Sequence, residues 1–421
     1  MQAILLAAGN SSRFVPFTGI GHKSLVKLLG KTLLEHTILS LKNVEIRDIV
    51  IVVGKDSPIP AIIGDGKKLG ITITYVVLPE ALGMGAAILQ AKQYLQEKFF
   101  VLSAYHMDID LFAREMQSLQ AGDGTVVLLG KQPDGTGYGF FQHEKNIVTQ
   151  VVEKPTEPLR NALQIVGIYL LNKSFLATLE KTPLDHYHFE TALHAYTQTK
   201  KITFVLAQKP TVTLKYAWDL FAIKDYLLSK VQQAFVSPNA VVSPQAIIKG
   251  TVYIEEGATV LEGACIKGPA YIGKQAFVGN NSVVRNGTIV EEGAVVGSFL
   301  ELKNTILLDH ATTHTGLIED SIIGRKCKIA AGILTANVRL DRGKIPSIVK
   351  DEKINTGLTS LGCILGDSVR LGARVTTMPG VIVGEKSIIG PSTTVMKNVA
   401  PQTKYYTKFS EIVEEANENE K

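Results

Sequence analysis

Residues 234–311, cut every six residues, run AFVSPN, AVVSPQ, AIIKGT, VYIEEG, ATVLEG, ACIKGP, AYIGKQ, AFVGNN, SVVRNG, TIVEEG, AVVGSF, LELKNT, ILLDHA. The third position is Val236, Val242, Ile248, Ile254, Val260, Ile266, Ile272, Val278, Val284, Val290, Val296, Leu302 and Leu308, with no register slip in 13 units. The first position is mostly Ala, and Gly, Asn or Pro crowd the last two. One aliphatic per unit turns inward and the turn residues make corners. No unit can bury its apolar face alone, so the units stack as a parallel β-helix.

Beyond Ala311 the period blurs, returns in SIIGRK and CKIAAG, and breaks at Asn337–Thr356. That polar stretch carries Pro346 and reads as a loop ejected from the coil. The repeat resumes from CILGDS to TTVMKN, and a charged tail follows from Lys404. The tail is expected to form a short helix or a frayed end.

Before the coil, residues 1 to about 230 alternate strand-like with helix-like segments. Apolar runs at Ala3–Ala7, Ile49–Val53, Ile71–Val77, Phe99–Leu102, Thr125–Leu129 and Ile165–Leu171 are the expected strands. Helical stretches lie at Leu33–Leu41 and Ala86–Glu97, and Lys215–Gln233 reads as a closing helix. This pattern predicts a mostly parallel α/β sheet with ligands at the carboxyl ends of its strands. The expected domains are therefore 1–230, 234–403 and the tail 404–421.

Composition narrows the class. The 421 residues are 45% apolar and 20% charged, with a net charge of only +5. That is core-forming material without a disorder signature, and no Lys/Arg run suggests a nucleic-acid partner. The three cysteines (Cys265, Cys327, Cys363) form no CxxC pair, which argues against a disulfide framework or structural zinc. No apolar stretch reaches the roughly 18 residues of a membrane span, and the N-terminal apolar run lacks a basic region before it. A cytoplasmic enzyme or assembly protein is the expectation.

The segment LLAAGNSSRFVPFTGIGHKSLVKLLGKTLLEHTI (5–38) is a buried strand ending in a Gly-bearing loop, followed by Arg13 and Lys23. Backbone N–H groups of such a loop can cradle phosphates, and the two cations bring mobile positive charge to it. The segment resembles the signature of the sugar-1-phosphate nucleotidylyltransferases, as do LPEALGMGAA, YGFF, VVEKP and VGIYLL further on. The resemblance covers residues 1–230. It implies that a sugar-phosphate oxygen attacks the α-phosphorus of a nucleoside triphosphate and pyrophosphate leaves. It further implies that Leu6, Ala7, Ala8 and Gly9 read the base edge, with Gly83 in a second loop. Arg13 would hold the β- and γ-phosphates and Lys23 the phosphate under attack. Lys154 would hold the sugar phosphate, and Gly139 and Glu153 the sugar hydroxyls.

Four positions depart from that pattern. The Mg²⁺-binding aspartate is replaced by Tyr105, after Ala104, and the second metal carboxylate by Thr213, ahead of Trp218 and Asp219. Leu78 stands where a glutamine reads uracil or thymine, and Ile165 replaces an asparagine. Asp108 or His106, just beyond the strand end, is the candidate for a displaced metal ligand. Three readings stand: a transferase with a relocated metal site, a nucleotide-sugar-binding trimer whose first domain is inactive, or a structural scaffold whose coil serves trimerisation alone.

The whole arrangement resembles the bifunctional N-acetylglucosamine-1-phosphate uridylyltransferase/glucosamine-1-phosphate acetyltransferases and their archaeal relatives. That resemblance implies a left-handed coil, a homotrimer, and acetyl-CoA as co-substrate in a groove between coils. In HTGLIEDSIIG, TANVRLDRGKIPSIVKDEKINTG and LGCILGDSVRLGARVTTMPGVIVG, His314, Asp320, Asn337, Arg339, Lys350 and Gly366–Asp367 keep the family spacing. A neutral histidine suits removal of a proton from an attacking amine near pH 7. His314 would be that base, with Asn337 and Lys350 placing the sugar or its phosphate. Leu317 replaces a family tyrosine, and Thr315-Gly316 replace Leu-Ser.

Overall fold

The aliphatic runs of the first half form strands of one nine-stranded mixed sheet. The structure is a computed structural model describing residues 1–80, 82–120, 124–133, 138–155, 157, 159–185 and 187–413. Two units separate within it: residues 1–14 with 18–223, and residues 15–17 with 224 onward.

In the first unit the strands are β1 (Gln2–Ala7), β2 (Asp48–Gly54), β3 (Thr72–Leu78), β4 (Lys98–Ser103), β5 (Val126–Lys131), β6 (Gly139–Glu144), β7 (Ile147–Glu153), β8 (Ala162–Asn172) and β9 (Ile202–Leu206). Their order is β9-β5-β8-β4-β1-β2-β3, with β6 paired to β8 and β7 to β6. Strand β8 runs antiparallel to β4 and β5, whereas β1, β2, β3 and β4 are parallel. The central strands are buried on both faces, which is why they read as unbroken apolar runs. Ile4, Val50 and Val101 enter one core, and Leu5, Ile51 and Leu102 the other. The hairpin β6–β7 and edge strand β9 are additional to the runs that mark strands in the sequence.

Helix boundaries follow capping. Helix α1 (Leu33–Asn43) starts at a capping box in which Glu35 N–H donates to Thr32 Oγ1 and Thr32 N–H donates to Glu35 Oε2. The stretch Ala86–Glu97 is helical only early: α2 spans Met84–Gln90, and a short turn at Lys92–Tyr94 gives way to extended Leu95. The closing helix starts later than Lys215. Asp219 accepts the N–H groups of Lys215 (2.6 Å) and Tyr216 (2.8 Å), so the chain turns at Ala217–Asp219 and helix α3 covers Leu220–Ser229.

The second unit is a three-sided, left-handed parallel β-helix. Its strands form three stacked sheets in which, through the first coils, each residue pairs with the one 18 positions on, as Val236 with Ile254 and Ile266 with Val284. Val260, Ile266, Ile272, Val278 and their equivalents fill a continuous interior, with Ala258, Ala264 and Ala276 at the tight corners.

The register departs from the sequence reading at the last repeat. Val290 pairs with Leu307, one residue short of a full coil, so Leu307 and not Leu308 joins the interior stack. The corner there is tightened through Asn304, whose backbone is left-handed (φ 48), a conformation Asn tolerates. The next coils are two residues short, pairing Leu302 with Ile318 and Leu307 with Ile323.

The ejected stretch is a hairpin, Pro346–Val349 against Glu352–Asn355, turning at Lys350 and Asp351 with both φ positive. That is the turn whose twist matches a two-residue hairpin. The coil also runs past the expected end. Lys404–Tyr405 pairs with Ile388–Ile389 instead of starting a helix. Residues 406–413 follow with neither helix nor strand, and the end of the expected tail, 414–421, lies outside the described residues. Cys327 and Cys363 are interior residues whose burial raises their thiol pKa values, Cys363 to about 11.

Candidate active site

At the carboxyl ends of β1 and β4 the first unit holds a cleft of about 470 Å³. Strand β1 delivers the chain into the loop Ala8–Arg13. Ser11 takes a left-handed backbone there, and Ser12 N–H donates to Asn10 Oδ1 (3.3 Å). Ser11 Oγ accepts the N–H of Lys23 (3.1 Å), tying the two basic segments together. His22 Nδ1 accepts the N–H of Ser24 (3.2 Å), and burial pushes its pKa down to about 4, so the imidazole is neutral at pH 7.

The Lys23 ammonium donates to the carbonyl of Leu214 and lies 4.7 Å from the Tyr105 ring centroid. Burial lowers its pKa to about 8, with Arg13 and Lys215 adding to the fall against Asp219. Opposite, Gly139 and Glu153 face each other across the β6–β7 pair. A Cβ at Gly139 would lie 2.6 Å from Glu153 Oε2, so glycine is what admits the carboxylate. Lys154 follows in a left-handed conformation, its N–H bonded to Tyr138 O (3.0 Å) and its Nζ 3.2 Å from Tyr187 Oη. Strand β8 bulges between Ile165 and Tyr169, and Gly167 (φ +92) gives the bulge its shape beside His106.

Of the residues singled out in the sequence, Gly9, Arg13, Lys23, Gly83, His106, Gly139, Glu153 and Lys154 line this cleft. Leu6, Ala7 and Ala8 do not; Ala7 is buried, and Leu6 and Ala8 pack partly against the core. Asp108 is the main correction. It is fully buried, Oδ2 accepts Val212 N–H (2.8 Å), and Oδ1 lies 3.2 Å from His106 Nδ1. Its carboxylate is committed to holding two loops together and is not presented to a metal in the cleft. Tyr105 and Thr213 line the cleft at the places of the expected carboxylates, and neither carries one. Among the described residues no group of three His, Cys, Asp or Glu side chains could hold a metal ion. With Tyr105 and Thr213 at the two expected carboxylate positions and Asp108 engaged elsewhere, the residues there do not fit Mg²⁺, which takes one or two carboxylates beside phosphate oxygens.

Sequence reasoning passed over Lys131, Gln164, Glu190 and Lys215, which also line the cleft. Burial, reinforced by Glu153, raises the Glu190 carboxyl to about 7. Lys215 was within reach, because it stands two residues after Thr213. The rim is strongly basic: Arg13, Lys23, Lys131, Lys154 and Lys215 against Glu153 and Glu190. Such a cleft is suited to a polyanion.

In the second unit, Asp320 is buried and accepts from Lys303 (3.1 Å), Asn304 (2.7 Å) and Asn337 (2.6 Å). The structure thus joins Asn337 to Asp320. His314 is exposed, and among the described residues shares no hydrogen bond with either. Its backbone carbonyl packs over Gly297, where a Cβ would come within 2.1 Å. Lys350 is exposed at the hairpin turn. Asp367 holds Arg325 through its N–H (2.8 Å) and Nε (2.9 Å), a bracing role between coils.

Residues 2–218 match the nucleotidyl transferase family, and residues 266–388 match the GMPPB C-terminal domain. A bifunctional protein GlmU from Methanococcus maripaludis is 32% identical over 98% of this chain and 98% of its own length. A bifunctional sugar-1-phosphate nucleotidylyltransferase/acetyltransferase from Sulfurisphaera tokodaii is 28% identical over 95% of this chain and 98% of its own. Among solved structures, a putative glucose-1-phosphate thymidylyltransferase from Bacillus anthracis aligns with 52% of this chain and 92% of its own, at 22% identity and a TM-score of 0.46.

Proposed function

The chain belongs to the nucleotidyl transferase family, and we propose that it serves nucleotide-sugar biosynthesis through two active sites. In the first, a phosphate oxygen of a sugar-1-phosphate forms a bond to the α-phosphorus of a nucleoside triphosphate. The bond from that phosphorus to the bridging oxygen breaks, and pyrophosphate leaves with the electron pair. Such a step needs positioning and charge neutralisation more than a protein nucleophile. Arg13 neutralises the departing phosphates, Lys23 the phosphate under attack and Lys154 the sugar phosphate. Glu153, admitted by Gly139, accepts hydrogen bonds from sugar hydroxyls.

One observation carries this reading. Arg13, Lys23, Gly83, Gly139 and the adjacent pair Glu153–Lys154 come from separate segments and meet around a single cleft of the size that small-molecule sites have. The test is pyrophosphate release across the common nucleoside triphosphates, each paired with a panel of sugar-1-phosphates. Release with one pair names the substrates. Silence across the panel, from folded protein, overturns the transferase and leaves a nucleotide-sugar-binding domain.

The second site is an acetyl transfer on the β-helix. The amine nitrogen of an amino sugar attacks the thioester carbonyl of acetyl-CoA, the C–S bond breaks, and the CoA thiolate leaves. His314 takes the amine proton. Its support is an exposed histidine shortly ahead of the Asp320 that Asn337 holds, with the relatives' bifunctional names. His314→Ala is expected to lower CoA release by about 10²–10⁴-fold, the usual worth of a general base, while pyrophosphate release stays unchanged. The assembly we infer is a cytoplasmic homotrimer built through the β-helix, which sedimentation analysis would test.

A further inference from the structure

The cleft pairs a missing donor set with a surplus of cations. Tyr105 and Thr213 stand at the two positions where the resembled family carries metal carboxylates, and Asp108 is engaged with Val212 and His106. Asp219, another aspartate near them among the described residues, is held by two backbone N–H groups. The Lys23 ammonium lies between the two vacated positions, over the Tyr105 ring and bonded to the carbonyl next to Thr213.

Lys215 adds a second cation at the same spot. It lines the cleft with its Nζ 5.0 Å from the Tyr138 ring centroid and 5.5 Å from that of Tyr216, and it makes no salt bridge among the described residues. Burial, then Arg13 and Lys154, lower its pKa, against Asp219 and Glu153. An ammonium set among other cations and beside two aromatic faces, with no salt bridge among the described residues, is pre-positioned for an anion.

We propose that Lys215, with Lys23, supplies the charge that a divalent cation supplies in related sites, so that this cleft binds the triphosphate chain without a metal. The assignment rests on the nucleotide reading given above. It also predicts that Mg²⁺ competes: the metal-complexed triphosphate carries less negative charge to a site already holding its own cations.

Calorimetric titration of the full-length protein with tripolyphosphate, which is free of any base preference, tests this in EDTA and again in excess Mg²⁺. The expected result is binding in EDTA at least as tight as in Mg²⁺. Lys215→Met should weaken it tenfold or more, and Lys215→Arg, which keeps the charge but not the compact ammonium, should weaken it less than Lys215→Met. Binding that needs Mg²⁺, or Lys215→Met binding as tightly as the parent, overturns the proposal. Nucleoside triphosphates titrated in parallel separate the two claims. Tripolyphosphate binding in EDTA with no nucleoside triphosphate binding supports the Lys215 assignment and overturns the nucleotide reading. Nucleoside triphosphate binding only with Mg²⁺ does the reverse.

Discussion

In the coil, Val260 and Val278 do the same work for the same reason, and the role of either follows from its place in a unit of six. In the cleft, Lys23, Lys154 and Lys215 are chemically alike and do different things. One lies over Tyr105 and one beside Tyr187, and one faces Tyr138. Repetition makes a residue's role transferable along the chain. A site assembled from a loop, a hairpin and a bulge makes each role singular, and local pattern does not carry it.

That contrast can be broken at either end. Ile272→Asp places an unpaired charge in the interior stack and is expected to cost about 3–5 kcal/mol, read as loss of the second unit's unfolding transition. A coil that kept its stability would deny that the stack is a closed interior. Lys23→Ala should remove about 100-fold of pyrophosphate release, in the range of losing one oriented charge-stabilising donor, with the thermal midpoint preserved. A fall in midpoint of the same weight would make Lys23 a structural lysine.

Smaller effects sharpen the distinction within the cleft. Asp108→Asn should cost about 1–3 kcal/mol by disturbing a buried acceptor. It should leave the response of nucleotide binding to Mg²⁺ as it was; a changed response would return Asp108 to metal binding. Gly139→Ala pushes Glu153 aside and should raise the KM for the sugar phosphate roughly tenfold, with the KM for nucleotide unaffected. The gentlest test is pH. The Lys23 ammonium loses its proton as pH rises through about 8, and Glu190 gains negative charge through about 7. Both changes disfavour a polyanion, so polyphosphate affinity should fall from pH 7 to 9, by no more than about tenfold per unit for each group. Affinity rising over that range would contradict both assignments.

The coil was legible down to single side chains because its period is short and each unit meets the same constraint. It failed at Leu308, where a corner held by Asn304 absorbs a residue without changing the composition of the unit. The cleft was legible wherever a motif is continuous, as with Arg13, Lys23 and Glu153–Lys154. It was not legible at Asp108, whose spacing past β4 suits a ligand equally well. Only the fold shows Val212 donating into its carboxylate from about a hundred residues away. Lys215 escaped notice because nothing local distinguishes a cleft lysine from one at the start of a helix.

The short coils after Val290 have a geometrical consequence. Each coil advances the column by one strand spacing, about 4.8 Å, and returns the chain to the same face. Dropping a corner residue changes the perimeter but not the heading, so Ile318 and Ile323 still point inward. Removing residues 258–275, one whole coil, would lower His314 by one rung and leave its azimuth intact. Removing six would swing everything beyond by a third of a revolution. Height and bearing are thus separate coordinates in this column, and evolution can alter the first without disturbing the second.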